Sequence, residues 1–297
     1  MKRPLPVLVE ETVGAPVAPF LRFTALWIQI TGTWCNLECT HCLNASGPKE
    51  PWLPVMEAAA VRRVIGEADT LGVKEIYFTG GEPFLHRELL PLLTESLRVA
   101  PTTVLTNGTV MTPAIADDLA RLAAAARYSL EIRVSLDDVD PALNDRVRGP
   151  GAWARAVHAI RLLHDRGLLP IVTATELLSA EHPPAPGTYD RFRDFLRSLG
   201  ITKPRVKVMP VFALGRLEAG APAKLDEAAL AGFDRGLLQC ADSRIVADGG
   251  VYACPILAGL PAARLSDGGL AQAFRPAALY HPTCVTCHQT GMSCRNA

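Results

Sequence analysis

The sequence predicts an α/β fold: a partial (β/α)6 TIM-like barrel followed by a small cysteine-rich C-terminal domain. Three observations carry this. Between Ala25 and Val211, short β-prone runs alternate with stretches of helical apolar spacing, the pattern of a parallel sheet with crossover helices. About six such units fit, short of the eight that close a full barrel. Beyond Pro210 the alternation stops, and five of the eight cysteines follow.

Residues 1–22 are proline-rich without period and read as an extended arm, leaving no room for a peptide-recognition domain ahead of the first strand. Ala25 to Ile30 is an apolar, β-rich run stopped at Gly32, hence a strand. Val55 to Leu71 carries apolar residues at helical spacing and ends at Gly72, before a strand from Lys74 to Thr79. Helices from Arg87 to Val99 and from Pro113 to Ala126 precede strands at Thr102 to Leu105 and Ser129 to Leu136. Ala152 to Arg166, closed by Gly167, is helical, and a strand follows near Leu169 to Thr175. Tyr189 to Leu199, closed by Gly200, leads to the sixth strand, Arg205 to Val211. A Gly/Ala/Pro-rich connector, Leu214 to Pro222, introduces a helix expected over Asp226 to Leu238. The expected units are an arm at 1–22, a barrel at 23–212 and a C-terminal domain at 213–297.

Lys and Arg balance Asp and Glu at 30 each, which argues against a nucleic-acid binder relying on a broad basic field. No apolar secretory region follows Met1 to Pro6, and Phe20 to Ile30 carries Arg22 and is too short to span a bilayer. A cytoplasmic chain with no membrane segment is expected. Disulfides are rare in that compartment, so clustered cysteines point to metal binding, with free core thiols as the plain alternative.

The densest chemistry lies in Thr33-Trp34-Cys35-Asn36-Leu37-Glu38-Cys39-Thr40-His41-Cys42. Three thiolates on so short a loop can converge on one metal centre with a position left open. A structural zinc site normally takes four ligands, whereas an iron–sulfur cube held by three leaves one iron free. Thr79-Gly80-Gly81-Glu82-Pro83 follows the next strand. Its glycines let a backbone approach a ligand, and Glu82 offers an acceptor for a cation, although alone it is only a turn. Thr106-Asn107-Gly108 ends the third strand, Val134-Ser135-Leu136-Asp137 the fourth, and Asn144 to Gly149 precedes the next helix. Without context, Asn107 is an Asx turn, Asp137 a helix cap, Arg146 and Arg148 a solvated pair and His41 a loop residue.

In this order and at these strand ends the motifs resemble the radical S-adenosylmethionine (radical SAM) superfamily, over nearly the whole chain from residue 25. The resemblance implies that Cys35, Cys39 and Cys42 hold a [4Fe–4S] cluster whose free iron is chelated by SAM. It implies that Gly80, Gly81, Glu82 and Pro83 bind the SAM amino group, and that Asn107 belongs to the cofactor site. Ser135 and Asp137 would lie near its ribose or methionine part. Arg148 would pair with the SAM carboxylate, a contact that suits a guanidinium. His41 stands where relatives often have an aromatic whose backbone contacts adenine. No catalytic acid or base is implied.

Toward the C-terminus, Cys240 and Cys254 flank Asp248-Gly249, a hairpin signal, and Cys284, Cys287 and Cys294 follow. This resembles the auxiliary-cluster extension called SPASM, or its shorter form Twitch. The full SPASM pattern has one cysteine more beyond the last, which is missing after Cys294. Five cysteines supply one four-cysteine cluster and not two. By analogy with Twitch proteins the ligands are Cys240, Cys254, Cys284 and Cys287, with Cys294 spare or an alternative ligand. A four-cysteine zinc site remains the competing reading.

The implied activity is reductive cleavage of SAM to a 5′-deoxyadenosyl radical that takes hydrogen from a substrate, the work of a radical SAM oxidoreductase. A small metabolite or natural-product intermediate undergoing oxidation is the first expectation. Peptide or protein side-chain maturation, a redox-neutral epimerisation and a non-catalytic metal scaffold are the alternatives. Cluster potentials span roughly −700 to +450 mV and SAM reduction needs the low end, so a flavodoxin- or ferredoxin-type donor is an expected partner.

Overall fold

The computed structural model describes residues 12–49, 51–176, 187–217, 224–248 and 250–295. Expectations for residues 1–11, for the connector beyond Leu217 and for Gly249 lie outside these. The core is a nine-stranded sheet. Its parallel part runs β2 (Ala25–Gln29), β3 (Glu75–Thr79), β4 (Thr102–Thr106), β5 (Leu130–Ser135), β6 (Ile171–Thr175) and β7 (Arg205–Met209), in sequence order. Crossovers carry α1 (Ala58–Thr70), α2 (Leu89–Val99), α3 (Pro113–Ala125), the pair α4 (Pro141–Arg148) and α5 (Ala152–His164), and α6 (Thr188–Ser198). This is the α/β, partial-barrel class expected from the alternation.

Period-two alternation assigns the two faces of the sheet. Leu26, Ile28, Phe78, Ile132 and Val134 pack with Val61, Leu92, Leu93 and Ile160 of the helices in one apolar core. Each such fully buried side chain contributes about 1.5–3 kcal/mol. The opposite face presents Trp27, Gln29, Arg133, Ser135, Thr173 and Met209 to a central cavity. Trp27 and Tyr77 stack across β2 and β3 with centroids 4.1 Å apart and planes 10° from parallel.

Three features depart from the sequence reading. The residues before α5, to which the sequence reading gave no element, form helix α4: Asp140 caps it by accepting from the amides of Ala142 and Leu143, and Pro141 sits in its first turn. The helix expected over Asp226 to Leu238 is instead a series of turns with a short 3₁₀ segment, Arg235–Leu237. Gly232 takes a φ of +76°, and Asp226 and Asp234 spend their carboxylates on local amides, closing turns that end any helix. Finally, β8 (Ser243–Ala247) lies parallel to β2 in register Ala25 to Ser243, so the C-terminal part extends the barrel sheet, a pairing the sequence reading did not anticipate.

From β8 the chain turns back antiparallel into β9 (Gly250–Tyr252), which pairs with β10 (Arg264–Ser266). A short pair joins β1 (Val17–Ala18) to β11 (Ala277–Ala278), tying the end of the arm to the C-terminal segment. Helix α7 (Thr283–Thr290), with Cys284 and Cys287 on successive turns, completes the fold. No helix among the described residues is long and apolar enough to cross a membrane.

Candidate functional site

The loop after β2 is folded by its own backbone. Trp34 and Gly47 form a bridge, with Cys35 N donating to Gly47 O at 3.0 Å and Gly47 N to Thr33 O at 3.1 Å. Arg216, which the motif reading missed, clamps the loop from outside through Cys39 O at 2.8 Å, Ser46 O at 2.6 Å and Ala45 O at 3.2 Å. Its neighbour Gly215 allows this approach: φ is +67°, and a Cβ there would stand 2.3 Å from Cys42 O.

Cys35, Cys39 and Cys42 all face one cavity of about 270 Å³ at the C-terminal ends of the strands. Donors already point at two of the sulfurs: Leu37 N at 3.4 Å and Asn107 Nδ2 at 3.7 Å on Cys35, and Ser46 N at 3.2 Å on Cys42. Such donors suit thiolates that carry negative charge in a cluster. Burial pushes the metal-free Cys35 thiol up to about 12, so deprotonation there is a matter of metal binding. Among the described residues no three His, Cys, Asp or Glu side chains meet closely enough to hold a single ion. A cube is larger than one ion and holds its thiolates further apart.

Gly80, Gly81, Asn107, Ser135, Arg148 and His41 line the same cavity. Gly81 packs backbone to backbone, since a Cβ would fall 2.0 Å from Trp34 O. Glu82 and Pro83 lie behind this wall. Glu82 is fully buried and accepts from Thr106 Oγ1 at 2.8 Å, Asn107 N at 2.7 Å and Phe84 N at 3.1 Å. Burial raises its carboxyl, the three donors offset this in part, and the net position is about 7.

Asp137 also sits behind the wall. His41 Nε2 and Arg148 Nε approach its Oδ2 to 3.0 and 2.7 Å, ion-pair contacts out of line for hydrogen bonds, while its Oδ1 accepts from Thr175 N at 3.0 Å. Burial pushes the carboxyl up, but Arg148 and His41 more than offset this and hold it below the usual range. The carboxylate thereby fixes two side chains that do face the cavity. Arg146 lies in the last turn of α4 beside Arg148 but does not line the cavity.

A second, smaller cavity is lined by Cys240, Cys254, Cys284 and Cys287. Burial pushes the first three thiols up to about 12 and raises the fourth as well. Arg244, buried on β8, supports this wall through Cys240 O at 2.6 Å, Ala253 O at 3.2 Å and Arg275 O at 2.6 Å, and lies over the Phe20 ring at 3.6 Å. Cys294 is placed differently: buried, it lines the main cavity. The thiols of both cavities fit clusters bound through cysteine.

Sequence reasoning also passed over Arg133 and Arg244. Arg133 was visible as an arginine alternating with Leu130, Ile132 and Val134, the mark of a polar inward face, whereas Arg244 shares the helix-side face of Leu26 and Val246 and had no such signal.

The chain aligns with the mycofactocin maturase of Mycolicibacterium smegmatis at 31% identity, over 56% of this chain and 39% of that protein. It aligns with a probable GTP 3′,8-cyclase of Methanosarcina mazei at 28% identity, over 59% of this chain and 51% of that protein. It thus spans about half or less of these relatives. Among solved structures it resembles anSMEcpe with bound AdoMet, at a TM-score of 0.63, 16% identity and coverage of 84% of this chain and 80% of that one. It also resembles Streptococcus suis SuiB bound to S-adenosylmethionine, at a TM-score of 0.64, 16% identity and coverage of 88% and 68%. At these identities the structural likeness is one of fold. The family model "Radical SAM superfamily" matches residues 30–178. With half of its length under that match, the chain belongs to the radical SAM superfamily, whose members use a [4Fe–4S] cluster together with SAM.

Proposed function

We propose that this radical SAM enzyme oxidises a small metabolite or natural-product intermediate, using one cluster to cleave SAM and a second to take up the substrate's electron. The observation that carries the reading is the pairing of two cavities, one lined by three cysteines and the polar inner strand faces, the other by four cysteines. Cys35, Cys39 and Cys42 would hold the SAM cluster, and Cys240, Cys254, Cys284 and Cys287 an auxiliary [4Fe–4S] cluster. When bound, the reduced cluster supplies one electron to SAM, giving methionine and a 5′-deoxyadenosyl radical that removes hydrogen from the substrate.

The chain's own residues orient and enclose. Gly80 and Gly81 bring bare backbone to the SAM amino group, and Glu82 and Pro83 hold that turn from behind. Arg148, fixed by Asp137, faces the SAM carboxylate. Ser135, Asn107 and His41 complete the cofactor wall. The barrel, 23–212, supplies most of this site, the domain at 213–297 the second one and part of the first wall, and a flavodoxin- or ferredoxin-type protein the electrons.

Maturation of a peptide or protein side chain is the second reading, in line with the maturase among the relatives. Anaerobically reconstituted protein given dithionite and SAM is expected to form 5′-deoxyadenosine, and Cys35→Ala, Cys39→Ala or Cys42→Ala each to abolish it. Iron analysis should return about eight irons per chain, two clusters of four. About four irons with one zinc would replace the second cluster by zinc. Deuterium passing into 5′-deoxyadenosine from labelled small acids, sugars or nucleosides supports the first reading. Transfer from a labelled peptide alone overturns it.

A further inference from the structure

The inner face of β5 carries a charge that the cofactor site does not use. Arg133 is 2% exposed and lines the main cavity. Its Nη1 donates to Cys294 O at 2.6 Å and its Nε to Thr173 Oγ1 at 3.2 Å, both neutral acceptors. Glu131, two residues earlier on the strand, is held by Arg205 at 2.7 Å. Among the described residues no Asp or Glu lines the cavity.

Burial outweighs the favourable fields of Cys294, Tyr77 and Glu131 and pulls the guanidinium below its usual range, so a buried cation is left under-compensated. Lys207 on β7 adds positive charge nearby: burial and Arg133 together lower it to about 8, and its Nζ donates to Arg295 O. The same cavity wall holds two more unmet demands. Trp27 Nε1, a donor, and Gln29 Oε1, an acceptor, have no partner, on side chains 2% and 0% exposed. Polar groups so buried are normally satisfied, and unsatisfied ones call for a bound group.

We propose that Arg133 anchors the anionic group of a small substrate, a carboxylate or a phosphate, with Trp27 Nε1 and Gln29 Oε1 receiving its other polar groups. The proposal rests on the reading of this cavity as a radical SAM active site and names the substrate class it takes. Depth along the strand separates this subsite from the cofactor. Arg133 precedes Ser135 by two residues, about 7 Å further from the cysteine loop. Arg148 and the glycine turn stand at the loop end.

The test titrates reconstituted holoenzyme, with and without saturating SAM, with succinate, inorganic phosphate and neutral succinamide, reading calorimetric heat and the melting temperature. One of the two anions is expected to bind the SAM-loaded enzyme and raise its melting temperature, and succinamide is not. The tighter anion tells a carboxylate substrate from a phosphate one. Arg133→Met should weaken that binding about tenfold or more, the loss of a charge-assisted hydrogen bond, and Arg133→Lys should weaken it less. Should Arg133→Met not fold, Trp27→Phe, which keeps the ring stack, is expected to weaken the same anion measurably. Absence of anion binding at millimolar concentration, or unchanged affinity in the Met variant, overturns the proposal. So does competition with SAM, which would give Arg133 to the cofactor's own carboxylate. Wild-type protein that binds succinate but forms no 5′-deoxyadenosine would sink the functional reading instead, and leave the subsite standing.

Discussion

Glu82 shows how a single residue couples the cofactor wall to pH. It is fully buried, so its carboxyl lies near 7 instead of its ordinary value near 4.5. A folded state that holds its proton more tightly than the unfolded chain gains stability from it at low pH. That contribution is fully present below about 4.5 and is lost as pH rises through 7, a change of about 3 kcal/mol for the shift involved. Denaturant unfolding of metal-free protein and of Glu82→Gln across this range is expected to show wild type losing stability relative to the variant as pH rises. A gap that does not change with pH would contradict the assignment. The two glycines before Glu82 were legible in the sequence as a close-approach turn. The three donors around the carboxylate come from Thr106, Asn107 and Phe84, two of them more than twenty residues away, and no local pattern announces such a pocket.

At the scale of elements, strands and helices whose apolar spacing is strong were read from sequence to within a residue or three, as for β3 and α3. Helix α4 was not, because half of its eight residues are polar and two of the three it buries, Asn144 and Arg148, are polar too. Its identity lies in its start, Asp140-Pro141, a cap and first-turn pair that the reading overlooked. Asp140→Ala removes both amide contacts, and the expected cost is about 1 kcal/mol of stability. Because α4 delivers Arg148 to Asp137, SAM affinity should weaken along with the melting temperature. Calorimetry that finds SAM binding untouched would separate the helix start from the site. The opposite error, a helix expected over Asp226 to Leu238, came from apolar spacing that also suits turns burying Leu230 and Leu238.

For the whole molecule, the barrel and the C-terminal part meet along a strand. Every residue of β2 is buried, and β8 covers the edge that β3 does not. Residues 23–212 expressed alone would expose that edge, a template for pairing with another chain. Such a fragment is expected to elute as an aggregate or as unfolded chain, and a folded monomer by size-exclusion chromatography and circular dichroism would show the barrel to be self-sufficient. The cysteine spacing announced a separate extension, but the sharing of a sheet was not legible, since a parallel pair more than two hundred residues apart leaves no local signature. That shared strand also binds the two sites to one fate. Cys240 precedes β8 and Cys254 follows its hairpin, so the strand bordering the second cavity is the one paired with β2, which leads into the Cys35–Cys42 loop. If the proposed clusters occupy the two cavities, loss of the second is expected to reach the first through this shared sheet edge.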